Sequence, residues 1–373
     1  VADAQLPHWL RLTLIPGVGG ETRRHLLSSF GLPEAVFSAG AGALRAAIGT
    51  SLAERLLVHD CQAAIAAALD WADQAGNRIV TLADSDYPQS LLASADPPVL
   101  LYVKGDPSLL NRPGVAVVGS RNATQQGEAN ARAFAAALSG AGLTVVSGLA
   151  LGIDAAAHRG ALTERGSTIA VIGTGADRIY PSANEPLARE IAERGTIISE
   201  FSLGTPAMAA NFPRRNRLIA GLARGCLVVE AAERSGSLIT ARLAAENGRE
   251  VFAVPGSIHS PQSKGCHKLI RQGAKLVESA HDILEELRWE AVVAPFPGRS
   301  GEGPSPSGLT IPPAALTEED AAILAALGHD PTDLDTLTER TGLTAGQLLA
   351  MLLPLELDGR INQLPGGRYQ RLS

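Results

Sequence analysis

The chain has 373 residues, 45% of them hydrophobic, and 32 Lys+Arg against 38 Asp+Glu give a formal net charge of −6. At about 150 residues per domain, that length predicts two or three domains with the apolar content of a foldable globular protein. The three cysteines, Cys61, Cys226 and Cys266, lie far apart, which excludes a disulfide framework and argues against a zinc site. No stretch is apolar for long enough to span a membrane and the N-terminus lacks a basic-then-apolar pattern, so a soluble, cytoplasmic protein with no membrane partner is expected. The total charge hides its distribution. Between residues 110 and 280 there are 19 Lys+Arg and 13 Asp+Glu, a local charge of +6, and the remainder carries −12. A basic middle between acidic ends suits an anionic partner confined to the middle.

In chain order, residues 1–75 read as a small helical domain. Within it Pro16-Gly17-Val18-Gly19 separates two helical segments, as in a helix-hairpin-helix or sterile-alpha-motif-like unit. Such a turn either meets a DNA phosphate with its backbone amides or simply reverses the chain within a helical contact module. A connector over 76–110 holds an apolar strand from Val99 to Val103. Strands at 115–118, 143–147, 168–173, 196–199, 226–230 and 250–254 then alternate with helix-length segments. This pattern predicts an α/β domain over 76–290, an extended Rossmann-like, doubly wound and mainly parallel sheet. A Pro-, Gly- and Ser-rich linker is expected at 291–313. Residues 314–373 read as three helices and a hairpin near Gly366-Gly367, a winged-helix-like domain. Its presumed recognition helix, Thr344 to Asp358, lacks Lys and Arg, carries Glu356 and Asp358, and is expected to break at Pro354. A protein-contact or regulatory role is favoured there over major-groove reading.

Ligands of doubly wound sheets bind at the carboxyl ends of the strands, and the glycine and hydroxyl clusters fall at those ends. After the first parallel strand comes Gly119-Ser120-Arg121, read as a phosphate cradle whose free amides point above the N-terminus of a helix starting near Thr124. Gly148 opens the next cluster, Gly173-Thr174-Gly175 follows, and Ser235, Gly236, Ser237 and Thr240 supply hydroxyls at another loop-to-helix junction. Phe212 precedes Arg214, Arg215, Asn216 and Arg217, with Asn216 and Arg217 expected near a helix N-terminus. Single-stranded nucleic acid needs this combination, charge for its backbone and a flat ring on which an unpaired base stacks. Phe212 is otherwise a core aromatic, and one or two of the arginines otherwise pair with Glu200 or Glu230. Lys264 and Lys268 either extend the basic track or form a solvated helix face. Asp154 and His158 stand four apart on one helix, but no nucleophile, second carboxylate or metal set accompanies them, so no catalytic residue is expected.

These motifs resemble the bacterial DNA processing protein DprA, or Smf, family along nearly the whole chain. The resemblance rests on Val117-Val118-Gly119-Ser120-Arg121, on Ser147 to Asp154 with His158, and on Ile179-Tyr180-Pro181. It continues through Asn211 to Leu222, Ser235 to Ala241, and Pro255-Gly256-Ser257. It implies a domain that binds single-stranded DNA, forms a homodimer and helps load the RecA recombinase in natural transformation, with no catalytic activity. No cofactor or metal is expected. The resemblance also implies that Gly119, Ser120 and Arg121 hold phosphate, that Phe212 stacks a base, and that Arg215 and Arg217 complete the cleft. Duplex DNA is a further candidate partner of the terminal domains. His267 departs from the family's usual asparagine. The chief alternative is a nucleotide-binding or nucleotide-hydrolysing Rossmann-like enzyme. Such hydrolases carry a Pro-Gly-Gly-x-Gly-Thr run where this chain has Glu233-Arg234-Ser235-Gly236-Ser237.

Overall fold

The apolar runs of the middle region form one nine-stranded sheet: β1 (Asn77–Thr81), β2 (Leu100–Gly105), β3 (Gly114–Val118), β4 (Thr144–Ser147), β5 (Thr168–Val171), β6 (Thr196–Ser199), β7 (Gly225–Val228), β8 (Glu250–Ala253) and β9 (Lys275–Leu276). The strand order is β1-β2-β6-β5-β4-β3-β7-β8-β9 in this computed structural model, which describes residues 5–289, 317–328, 330–364 and 367–372. β3 to β9 pair in parallel, whereas β2 runs antiparallel to β6 and β1 antiparallel to β2. All residues of β3, β4, β5, β6 and β7 are buried, because helices cover both faces. The doubly wound class read from the sequence is therefore the one observed. Two edge strands were not expected: β1 opens on polar residues and β9 has only two.

Helices Gln125–Gly140, Ile153–Ala161 and Ala280–Glu286 share one apolar core with the sheet, centred on Val115, Val117 and Phe134. Helices Asn211–Leu222, Ser237–Glu246 and Lys264–Arg271 pack on the opposite face around Ala116, Val118 and Val228. From β3 the chain builds β4, β5 and β6 on one side, then returns to set β7 against β3 on the other. That reversal opens a crevice at the carboxyl ends of β3 and β7.

Contacts divide the chain into two compact units, Val1–Ala291 and Val292–Ser373. In the first, a set of short helices from Leu6 to Ala72 precedes the sheet, and Trp9, Leu10 and Trp71 share a core with Tyr102 of β2. In the Pro16-Gly17-Val18-Gly19 turn the Pro16 carbonyl accepts a bond of 3.2 Å from Arg55 Nη1, so the turn is tied to its own module. The linker expected at 291–313 lies outside the described residues.

In the second unit, helices Glu318–Leu327, Leu334–Thr341 and Ala345–Leu357 pack with a sheet ordered β10 (Thr332–Asp333), β12 (Arg368–Arg371), β11 (Ile361–Leu364). The third helix does not break at Pro354, contrary to the expectation from sequence. The carbonyl that proline leaves without its usual donor belongs to Ala350, which is exposed to water.

Candidate nucleic-acid interface

The turn after β3 is tight. A methyl group added at Gly119 would stand 2.6 Å from Ile153 Cγ1 and 2.8 Å from the Glu230 carbonyl oxygen. Two of its amides, however, are not free as the sequence reading required. Ser120 N donates to the Glu230 carbonyl (2.7 Å), and Asn122 N donates to Ser120 Oγ (3.1 Å). The N-terminus of helix Gln125–Gly140 is also taken. The Glu230 carboxylate accepts from Thr124 N at 2.9 Å and from Thr124 Oγ1 at 2.5 Å. Burial pushes the Glu230 carboxyl above its ordinary pKa, against the opposing effect of the Thr124 bonds. A carboxylate 106 residues away thus fills the anion position of this helix, and the exposed Arg121 remains as the turn's cation.

Helix Asn211–Leu222 starts five residues earlier than the sequence suggested, because Pro213 fits a first turn, whose amides have no helical partner. Asn216 and Arg217 consequently lie in its second turn, away from the N-terminal dipole. Helical spacing then sorts the side chains. Phe212, Arg215, Asn216 and Ile219 line the crevice. Arg214 and Arg217 point elsewhere: Arg214 lies over the Phe201 ring at 5.4 Å, and Arg217 pairs with Glu200 and, at 2.9 Å, with Asp96. Asp96 also pairs with Arg24 of the N-terminal helices. Of the two roles open to Arg217, the geometry is that of a carboxylate partner.

Arg215 is only 3% exposed, and its Nε and Nη1 have no hydrogen-bond partner. Its guanidinium occupies the space a side chain at Gly148 would need. Burial pushes its pKa down to about 10, with Asp154 acting the other way and Arg121 adding to the fall. Asp154 Oδ2 accepts from Gly148 N (3.1 Å) and Ala150 N (3.4 Å), and burial raises its pKa against the pull of Arg215. His158 is fully buried. Thr168 Oγ1 donates to the Val145 carbonyl, so it accepts from His158 Nδ1 at 2.7 Å, leaving Nε2 to accept from Leu149 N at 3.3 Å. Leu149 has φ +58°, a left-handed conformation also held by Asn184 Nδ2, which donates to the Leu149 carbonyl at 3.0 Å. Asp154 and His158 therefore brace a loop in a left-handed conformation, and Asp154 also lines the crevice.

On the far wall, Ser235 Oγ and Ser237 Oγ are 2.7 Å apart at the N-terminus of helix Ser237–Glu246, where Gly236 leaves open space. Together these walls enclose a crevice of about 800 Å³ lined by Arg121, Tyr180, Phe212, Arg215, Ser235 and Thr240, among others. Arg121 and Arg215 approach the Phe212 ring to 5.3 and 5.9 Å, and the Tyr180 ring lies 5.7 Å from it. The sequence motifs do not single out Tyr180 for a role; its signal is an aromatic just beyond the glycine cluster of the third parallel strand. Lys264 and Lys268 do not line this crevice. Lys264 Nζ donates to the Ile258 carbonyl, and Lys268 borders a separate groove with Arg242 and Gln272. The three cysteines are buried and free, and no cluster of three or more metal-ligating side chains occurs among the described residues.

A doubly wound sheet whose switch-point crevice joins guanidinium groups to aromatic rings defines a Rossmann-like protein. Residues 78–288 match the DNA recombination-mediator protein A family, and 309–367 match the DprA winged helix domain. The chain belongs to the DNA recombination-mediator protein A family, as its sequence motifs implied. It is 44% identical over 310 residues to Protein Smf of Escherichia coli, covering 83% of this chain and 81% of that protein. The X-ray structure of DNA processing protein A from Streptococcus pneumoniae matches with a TM-score of 0.66 and 40% identity, over 75% of this chain and 96% of that one. DNA processing protein A from Helicobacter pylori, whose structure describes its single-stranded DNA binding mode, matches at 0.52 and 32%, over 56% and 95%.

Proposed function

We propose that this chain binds single-stranded DNA in the switch-point crevice and delivers it to the RecA recombinase during natural transformation. The observation that carries this reading is the grouping of Phe212 and Tyr180 with Arg121 and the open hydroxyl-lined helix start at Ser235–Ser237. Charge holds the phosphates while the aromatic wall accepts an unpaired base, a combination a duplex cannot use because its bases are already stacked. The Helicobacter pylori relative's single-stranded DNA binding supports the same assignment here.

The binding set comprises Gly119, Ser120, Arg121, Phe212, Arg215, Asn216, Ser235, Gly236, Ser237 and Thr240, with Gly148 acting by admitting the Arg215 guanidinium. The protein works as a cytoplasmic homodimer through its Rossmann-like domain, without catalysis or cofactor. The full burial of His158, which bonds Thr168 and Leu149 and does not line the crevice, supports the non-enzymatic reading. The chain divides into a helical domain at 1–75, the binding domain at 76–290, a linker at 291–313 and a winged-helix domain at 314–373. The last of these serves protein contact, since helix Ala345–Leu357 bears no Lys or Arg. Anisotropy of a labelled oligonucleotide, run beside an assay for nucleoside monophosphate hydrolysis, tests the proposal. Binding without turnover is expected; turnover with weak strand binding would transfer the crevice to the enzyme alternative.

A further inference from the structure

The crevice has two unlike walls. Arg121, Arg234, Ser235 and Ser237 supply cations and hydroxyls, whereas Tyr180, Ala207, Ala209, Phe212 and Pro213 are largely apolar. Phe212 is the ring the sequence assigns to stacking, yet most of its surroundings are already filled. Two guanidinium groups lie within 6 Å of its centre, Tyr180 adjoins it, and a side chain at Gly173 would stand 3.0 Å from its Cδ1. Tyr180, by contrast, is 49% exposed. A base lying flat between two rings needs about 7 Å, twice the ~3.4 Å stacking repeat. The two rings are 5.7 Å apart and inclined at 43°, so they touch each other and leave no slot between them. Of the two rings on this wall, that of Tyr180 is the more exposed to a ligand.

We propose that Tyr180 is a base-stacking platform of this crevice, and that Phe212 is the ring that buttresses it. The inference rests on the single-stranded DNA reading of the site. A base stacks on the outer face of Tyr180 while its phosphate faces Arg121 and the Ser235–Ser237 wall. The platform therefore selects strands whose bases are unpaired, independently of the charge that attracts them.

The test compares oligo-dT with an abasic oligomer of equal length, using the full chain as wild type, Tyr180→Leu and Tyr180→Phe. Both substitutions suit a half-exposed position, and thermal melting checks that each folds. Tyr180→Leu is expected to weaken oligo-dT binding about 5- to 150-fold while leaving abasic binding unchanged, and Tyr180→Phe is expected to retain wild-type discrimination. Equal losses on both oligomers would mean that Tyr180 only shapes the wall, and no loss on either would mean that it is idle; each overturns the proposal. A wild-type protein that binds neither oligomer removes the underlying single-stranded DNA reading, a result distinct from both.

Discussion

Arg121 and Arg215 both adjoin the Phe212 ring but differ in burial, and their variants should separate accordingly. Arg121 is exposed at the crevice, so Arg121→Ala should leave the melting temperature unchanged and weaken binding through charge alone. Arg215 is buried near Asp154 without forming an ion pair, and its guanidinium fills the space at Gly148, so Arg215→Ala should destabilise the fold by leaving a cavity there. A chemical-denaturation midpoint equal to wild type would contradict this. Glycine at 119 is set by close approach, and Gly119→Ala should destabilise by roughly 1–3 kcal/mol through overpacking against Ile153 and Glu230. His158 gives a pH signature. Burial first, then Arg215 and Arg159, push its pKa down to about 3 from 6.5, so the unfolded chain takes a proton that the folded chain refuses. Its contribution is complete above pH 6.5 and is lost as pH falls from 6.5 toward 3, by about 1.4 kcal/mol per unit. The stability gap between wild type and His158→Gln should narrow at that rate between pH 6 and 5; a constant gap would count against a neutral His158.

At the scale of elements, helix Asn211–Leu222 acts as a two-sided device. One side presents Phe212, Arg215 and Asn216 to the crevice; on the other, Arg217 joins Asp96 and Glu200, and through Asp96 reaches Arg24 of the N-terminal helices. The Glu200 side chain is 8% exposed, and burial raises its pKa against the pull of Arg217. Arg217→Ala should therefore destabilise the fold by about 3–5 kcal/mol. Its effect on the salt dependence of DNA binding should be nil, and a shallower slope would return Arg217 to the binding surface. The central parallel strands were legible in the sequence because each is a largely apolar run, whereas the two-residue parallel edge strand β9 was not, and glycine and hydroxyl clusters mark the ends of the central runs. What local pattern could not show is which long-range partner each polar group takes. Glu230 claims the helix start at Thr124 across 106 residues, and Asp96 claims Arg217, so one expected phosphate site and one expected phosphate ligand are satisfied within the protein. The start of the arginine-bearing helix was misplaced because a proline in a first turn looks, in sequence, like a boundary.

For the whole molecule, the contrast between a +6 middle and −12 elsewhere suits a polyanion held by the sheet domain and repelled by the rest. The chain is a member of the DNA recombination-mediator protein A family with a doubly wound fold, and its crevice lies at the switch point of the sheet. The most direct measurement is a titration of labelled single-stranded and duplex DNA across a series of salt concentrations, with wild type and Arg121→Ala. The account predicts preference for the single strand, log K falling linearly with log salt at about 0.7 per phosphate contacted, and a slope shallower by about 0.7 in the variant. Equal affinity for duplex, or an unchanged slope in Arg121→Ala, would contradict a strand held in this crevice.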